Sequence, residues 1–420
     1  MISSFKRLWR DRRGNTLAIA GAALPLVLGS AGLASDTIQW TLWKRQLQRA
    51  ADSAAIAGVY ATMQSQTVAT AVSTDLTKNQ NTGITLQSGY PQITYPTITN
   101  AANAVNVVLA VQRPLGFSGV FMASAPIITA SATAATVTTG VYCVVSLENT
   151  SATGITATGN SDIDLGCGMI TNSTSLNAAI ATGSSSVTAT PIAAVGDIQD
   201  STHWNDAELL PFTVAEKDPF ADVDVPPFTG CQGNTNKLQV TSGQTYDHQT
   251  DTGIQCFSDM SLNGNVTLGS ATYIIDSGDL SIGAQANVTC DGCTFVLTNS
   301  NSGTSGVQIG NVNINGGAQL NLDAPDSGTF DNILFYQDRR ASAGSSQTNQ
   351  INGNSASVLS GAFYFPTRTL DINGTSNLTF DCGQFVARTV NFSGNGSITN
   401  TCTGGYGDDT ITGNHVRLVA

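Results

Sequence analysis

The chain has 420 residues, of which only 11% are charged and 42 are Gly, and Thr, Ser, Asn and Val fill long stretches. That length admits two or three separate cores, and that composition favours short strands and turns over helix, so a mainly β fold is predicted. The net charge of −12 is divided unevenly: Lys6, Arg7, Arg10, Arg12 and Arg13 against Asp11 leave the first 13 residues at +4 and the remainder at −16. So acidic a body repels nucleic acid and anionic lipid, and no nucleic-acid partner is expected.

Residues 1–13 read as a basic cytoplasmic tip. Residues 14–35, Gly14 to Ser35, carry no charge and are rich in Ala, Leu and Gly. A helix of that length crosses the roughly 30 Å hydrocarbon core once, and the basic tip holds its N-terminus in the cytoplasm. The run is longer than the apolar region of a usual cleaved signal, so a retained membrane anchor is expected. Small residues at Ala18, Ala22, Pro25, Gly29 and Gly32 share one face and could pack against a second helix, although a merely moderate apolar anchor has the same composition. Beyond Asp36 a seam of Trp40, Trp43, Leu47, Ala50, Ala54, Ala57 and Ala61 predicts an amphipathic helix leaving the membrane, with the Trp pair at interface depth.

The runs from Arg13-Gly14-Asn15-Thr16 to Leu24-Pro25-Leu26-Val27-Leu28-Gly29, then Leu33-Ala34-Ser35-Asp36, then Leu47-Gln48-Arg49-Ala50-Ala51-Asp52-Ser53-Ala54-Ala55-Ile56-Ala57, resemble the N-terminal region of TadG-like Flp (tight adherence) pilus assembly proteins. The resemblance covers about 50 residues and implies a place in a bacterial envelope machine, with pilus assembly components or envelope proteins as partners. A basic leader ending in Gly14 also resembles that of prepilins, but Ile19 stands where a prepilin has an acidic residue, so an unprocessed N-terminus is expected.

Residues 36–140 predict the anchor-proximal helix followed by a small α+β unit, with an alternating strand at Val105, Val107, Leu109 and Val111, a turn at Pro114 to Gly119 and a second strand at Ile127 to Thr133. A repeated frame then begins: apolar, polar, apolar, a corner ending in Gly, and apolar again. Examples are Ile155 to Gly159 with Ile163 and Leu165, Leu262 to Gly264 with Val266 and Leu268, and Leu370 to Gly374 with Leu378 and Phe380. Undisturbed corners lie 24, 19, 21 and 20 residues apart (159 to 183, 264 to 283, 353 to 374, 374 to 394). Coils of three short strands with tight corners have this period, so a right-handed parallel β-helix is predicted, with a β-sandwich as the alternative. Residues 141–189 would form its first coils and 257–420 its main body. The insertions at 299–306 and 342–350 read as loops. The stretch 190–256 loses the frame and gathers Asp197, Asp206, Glu208, Glu216, Asp218, Asp222 and Asp224 with Pro211, Pro219, Pro226 and Pro227, which reads as an excursion or linker with a solvated acidic surface.

All eight cysteines follow the anchor, where disulfides are permitted. Cys143 with Cys167 and Cys382 with Cys402 are each about one coil apart, Cys231 and Cys256 flank the excursion, and Cys290 and Cys293 form a CxxC with no second CxxC or nearby His, which favours a local disulfide over zinc. Gly404 to Thr412 matches one calcium-binding nonapeptide, and a single copy leaves calcium a weak possibility beside an ordinary turn. Asp323, Asp326, Asp331, Asp338, Arg339 and Arg340 are close in sequence, but no acid pair recurs in the frame and His203, His248 and His415 are scattered. The reading is a non-enzymatic, cofactor-free, single-pass inner-membrane protein presenting a structural or adhesive β-helix in the periplasm or at the cell surface, with a surface ligand or glycan as a possible partner. The alternatives are a tethered carbohydrate-active enzyme, which convergence of the Asp323 to Arg340 acids in one groove would favour, and a calcium-dependent adhesin.

Overall fold

A computed structural model describes residues 13–79, 85–231, 236–301, 303, 307–343, 347–354, 356–374, 377–402 and 410–419. The basic tip up to residue 12 and most of the nonapeptide lie outside the described residues. The chain divides into two compact units, residues 1–137 with 416–420, and residues 138–415.

In the first unit, helix α1 (Arg13–Met63) runs unbroken through the apolar segment and the amphipathic one. Its later half is held by a small core in which Leu47, Ala51, Ala54, Ala55 and Val59 meet Val72 and Leu76 of α2 (Val68–Lys78) and Val105, Val107 and Leu109 of a sheet. The buried face is rotated slightly from the expected seam: Ala51, Ala55 and Val59 are buried, while Ala50 and Ala57 are half-buried. On this face Gly58, having no side chain, lets Val105 approach until an added Cβ would lie 2.8 Å from Val105 Cγ1. The sheet is antiparallel, with β1 (Gln92–Thr94) and β3 (Ile127–Ser146) on either side of β2 (Ala102–Gln112). Between β2 and β3, the turn expected at Pro114 to Gly119 closes into a 3-10 turn at Ser118–Val120, whose entry is capped by Asp36 of α1.

The second unit is a stack of parallel strands, three to a coil, as a β-helix requires. One face contains, layer by layer, Gly253–Phe257, Ala271–Asp276, Thr294–Thr298, Ile333–Gln337, the 362–365 and 384–387 stretches of longer strands, the end of β3, Gly168–Thr171, Ile192–Ala194 and Leu209–Leu210. Stacking follows a different order from the sequence. The coil ending near residue 401 pairs with the coil that starts at β3, through Phe385↔Val144, Val390↔Ile155 and Ile398↔Ile163. The first coils in sequence are therefore stacked on the last ones, and buried residues from Cys143 to Trp204 and from Leu238 to Ile398 share one continuous core, whereas 416–420, expected in the β-helix body, belong to the first unit.

The excursion is correspondingly shorter than 190–256. Ile192–Ala194 and Leu209–Leu210 extend one end of the stack, while Lys237–Val240, Thr245–His248 and Gly253–Phe257 form the layer at the other. Residues 211–231 return along the side of the stack past nine layer steps, on the order of 43 Å at about 4.8 Å per layer. The expected loop at 342–350 also gives up its last residues to the strand Thr348–Gly353.

Inside the stack, like residues fall in register. Tyr273, Phe295, Phe335, Phe363 and Phe385 form a column of rings with successive centroids 5.7, 5.4, 5.2 and 5.3 Å apart. The repeated corner glycines also meet: Gly159, Gly183 and Gly394 have positive φ, and a Cβ at each would come within 2.5 to 2.8 Å of the carbonyl oxygen of Gly394, Gly159 or Gly374 in the next layer. Only Gly satisfies both the left-handed turn and the close approach.

Candidate functional site

Each strand of the stack points alternate side chains inward, so its other side chains decide what each face presents. On two faces the outward rows are polar. One runs Gln239, Ser261, Ser281, Asn313, Gln350, Asp371, Asn391 and Thr156. The other runs Asp247, Thr267, Thr289, Asn321, Val358, Thr379, Thr399 and Asp164. Within the first row, burial pushes the Asp371 carboxyl up, against a 2.7 Å hydrogen bond donated by Asn391.

Among the described residues, two polar grooves along the stack bring acids together. The larger, about 1050 Å³, is lined by residues including Asp259, Asp276, Asp279, Asn299, Asn301 and Asn311. Its acids act as backbone acceptors: Asp259 accepts from Asp279 N at 3.2 Å, Asp279 from Asn311 N at 2.7 Å, and buried Asp276 from Cys231 N at 3.2 Å and Ser300 N at 2.9 Å. They tie successive coils together. The smaller groove, about 630 Å³, brings exposed Asp323 beside Asp291 and Asp381 and the Thr267, Thr289 and Asn321 row.

The acids and arginines between 323 and 340 diverge. Asp323 lines the smaller groove, Asp326 and Asp331 are exposed on a loop, and Asp338 is buried under an ion pair with Arg340 Nη2 at 2.7 Å and a 2.7 Å bond from Thr298 Oγ1. Burial alone would push the Asp338 carboxyl up, but the bonds from Arg340 and Thr298 outweigh it and hold it below the usual carboxylate range. Arg339 points the other way and clasps the returning segment. It donates to the carbonyls of Val223 and Phe220, pairs with Asp224 at 3.2 Å and Asp218 at 3.6 Å, and lies over the Tyr364 ring. Tyr364 itself donates to Asp218 at 2.6 Å, and Tyr336 to the Val223 carbonyl at 2.7 Å. Higher on the stack, Asn172 and Glu216 exchange two bonds, and burial pushes the Glu216 carboxyl up. Asp218 and Glu216 thus belong to a docked strap and not to the solvated acidic surface expected of this stretch. The signal for this was present in the runs Ala271–Asp276, Thr294–Thr298 and Ile333–Gln337, apolar on both sides as strands covered on both faces are.

All eight cysteines are paired: Cys143 with Cys167, Cys231 with Cys256, Cys290 with Cys293 and Cys382 with Cys402, at Cα separations of 5.8, 5.8, 6.0 and 4.3 Å. The second fastens the strap to the coil at residue 256. His248 stacks on Tyr246 with ring centroids 4.0 Å apart and bonds Asp251 at 3.3 Å. Among the described residues no group of three or more His, Cys, Asp or Glu is placed to hold a metal ion.

The remaining candidate region is α1. It is long and apolar enough to cross a membrane, and Leu24, Leu26, Val27, Leu28 and Leu33 are all exposed along it. Of the small residues on its proposed packing face, Gly32 meets the Phe117 ring of the same chain, Ala22 and Pro25 are exposed, Gly29 has nothing within 4 Å of an added Cβ, and the side chain of Ala18 lies outside the described residues. The segment from the start of this helix to its end is what connects the chain to known proteins: residues 14–64 match the family model of TadE/G-like Flp pilus-assembly proteins. No curated protein and no solved structure matches the chain.

Proposed function

We propose that the chain is a single-pass protein of the Flp/Tad pilus system, anchored in the bacterial inner membrane with its N-terminus in the cytoplasm and its β-helix outside, where the stack presents surface in a structural or adhesive role without catalysis. The observation that carries this reading is the coincidence of the family match at residues 14–64 with a helix whose apolar side chains are exposed. The two polar rows supply repeated hydroxyl and amide groups at the layer spacing, suited to hydrogen bonding with an envelope protein or a glycan. The Arg339 and Arg340 forks are occupied by the protein's own carboxylates and carbonyls, which argues for scaffolding over chemistry at that place.

The test is a strain producing the chain without residues 138–415. Loss of pilus-dependent attachment is expected in that strain; separately, a reporter fused after Val141 of the undeleted chain is expected to be active in the periplasm, and the purified full chain to cleave no glycan. Normal attachment in that strain overturns the role. Cleavage lost on Asp323→Ala or Asp381→Ala would reassign the smaller groove to a carbohydrate-active enzyme.

A further inference from the structure

The turn between β2 and β3 combines two properties that rarely meet in water. Val120 is 77% exposed, Phe121 75% and Met122 45%, three consecutive large apolar residues with nothing covering them. Yet every backbone N–H from Phe117 to Met122 is satisfied within the chain. Phe117 N and Ser118 N donate to the two carboxylate oxygens of Asp36, at 2.9 and 2.5 Å, and Ser118 Oγ donates to the same carboxylate. Gly119 N reaches Leu115 O at 3.0 Å, Val120 N reaches Phe117 O at 3.2 Å, and Phe121 N and Met122 N both reach Ser118 O at 2.9 Å. Backbone donors satisfied internally beneath exposed apolar side chains are what hydrocarbon demands of any segment placed in it.

The position of the turn along α1 agrees. The Phe117 ring occupies the notch at Gly32, where any Cβ would collide with it. Gly32 precedes Asp36 by four residues, about 6 Å of helix, and so lies within the apolar span. On the other side of Asp36 stand Trp40 and Trp43, with the Arg113 guanidinium 5.3 Å from the Trp43 ring centre, the pairing of aromatic and cation found at headgroup depth. Charge permits the approach: residues 36–137 carry Lys44, Arg45, Arg49, Lys78 and Arg113 against Asp36, Asp52 and Asp75, unlike the acidic body.

We infer that the 117–122 turn is a second membrane contact, inserted into the outer leaflet beside α1, with Val120, Phe121 and Met122 in the acyl region and Asp36 serving as its cap. The inference rests on α1 spanning the bilayer as proposed above. It makes the anchor a helix with a wedge bound to its side, which fixes how the first unit meets the lipid surface.

The full oxidised chain in phosphatidylcholine nanodiscs tests it, with an environment-sensitive fluorophore on Phe121→Cys or, independently, Met122→Cys. Leu28→Cys in the span and Leu176→Cys on the exposed body surface serve as references. Labels at 121 and 122 are expected to show blue-shifted emission, to be quenched by nitroxide-bearing lipid as at 28, and to be spared by aqueous iodide, which quenches at 176. Iodide quenching at 121 and 122 with lipid quenching retained at 28 overturns the inserted turn and leaves the anchor standing. Protection from both quenchers means that protein covers the turn and overturns it equally. Failure of lipid quenching at 28 removes the span, and the inference with it.

Discussion

The strands at Ala271–Asp276, Thr294–Thr298 and Ile333–Gln337 differ from their neighbours on the other two faces in what meets them from outside. Their outward row, Ile274, Val296, Tyr336, Tyr364, Val386, Val145 and Ile170, is buried beneath the returning strap, with Phe220 of the strap packed on Tyr364 at 5.4 Å between ring centres. The corresponding rows elsewhere are, apart from Val358, threonine, serine, asparagine, glutamine and aspartate, half-buried or exposed. The same coil thus carries two kinds of surface, and only the open kind is available for recognition. A regular stack needs one covered side if its connecting segment has to travel the length of the core, and the covering side chains must be apolar where the travelling segment lies.

Substitutions can break this contrast. Tyr364→Ala, on the covered row, removes a fully buried ring and its bond to Asp218, and unfolding in denaturant should register a loss of about 3–5 kcal/mol. Arg339→Ala leaves the ring in place but frees the strap, at a cost of about 2 kcal/mol for its charge-assisted bonds, and limited proteolysis should cut between residues 213 and 228 while the stack survives. Equal resistance of variant and parent to the protease would mean that the strap is held by its apolar contacts alone.

A smaller effect is expected at Asp338. Its folded carboxyl lies below the ordinary value of 3.8, so it contributes stability above that pH and loses the contribution as pH falls through the folded value. Asp338→Asn should therefore lower stability at neutral pH by about 1 kcal/mol and flatten the loss below about pH 4, as read from thermal melts across that range. Thr289→Ala, on an open row, should change stability by no more than about 0.5 kcal/mol. A large loss there would show that the polar rows hold the stack together, contrary to their exposure.

Much of the stack was legible because its rules are local. A corner such as Asn373-Gly374 and the alternating residues on either side announce a coil wherever they occur, and the glycine steps carried the period directly. Which coil adjoins which was not legible. Val144 and Phe363 both fit against Phe385, and nothing in a parallel frame ranks one apolar neighbour above another across more than 200 residues. The strap is illegible for a related reason: Asp218 and Glu216 look solvated in sequence, and only the position of Tyr364 and Asn172 shows that they are docked. At the N-terminal end, the exposed helix was plain from its composition, while the Asp36 cap joins residues 81 and 82 positions apart and has no sequence pattern of its own.

The interleaved order of the coils has a consequence for how the molecule is made. Ser146 bonds to the carbonyl of Arg388 across a separation of 242 residues, so the layer containing Val144, Ile155 and Ile163 waits for its partner until almost the whole chain has emerged. Assembly cannot proceed as a simple winding from one end as the polypeptide leaves the ribosome. The early coils must persist with an unpaired edge, which is the geometry that invites pairing with the wrong strand, and contacts so distant in sequence form slowly. Closure of the stack is thereby a late event that reports arrival of the last coil, and a chain truncated before residue 384 lacks the strands that pair with Val144, Ile155 and Ile163.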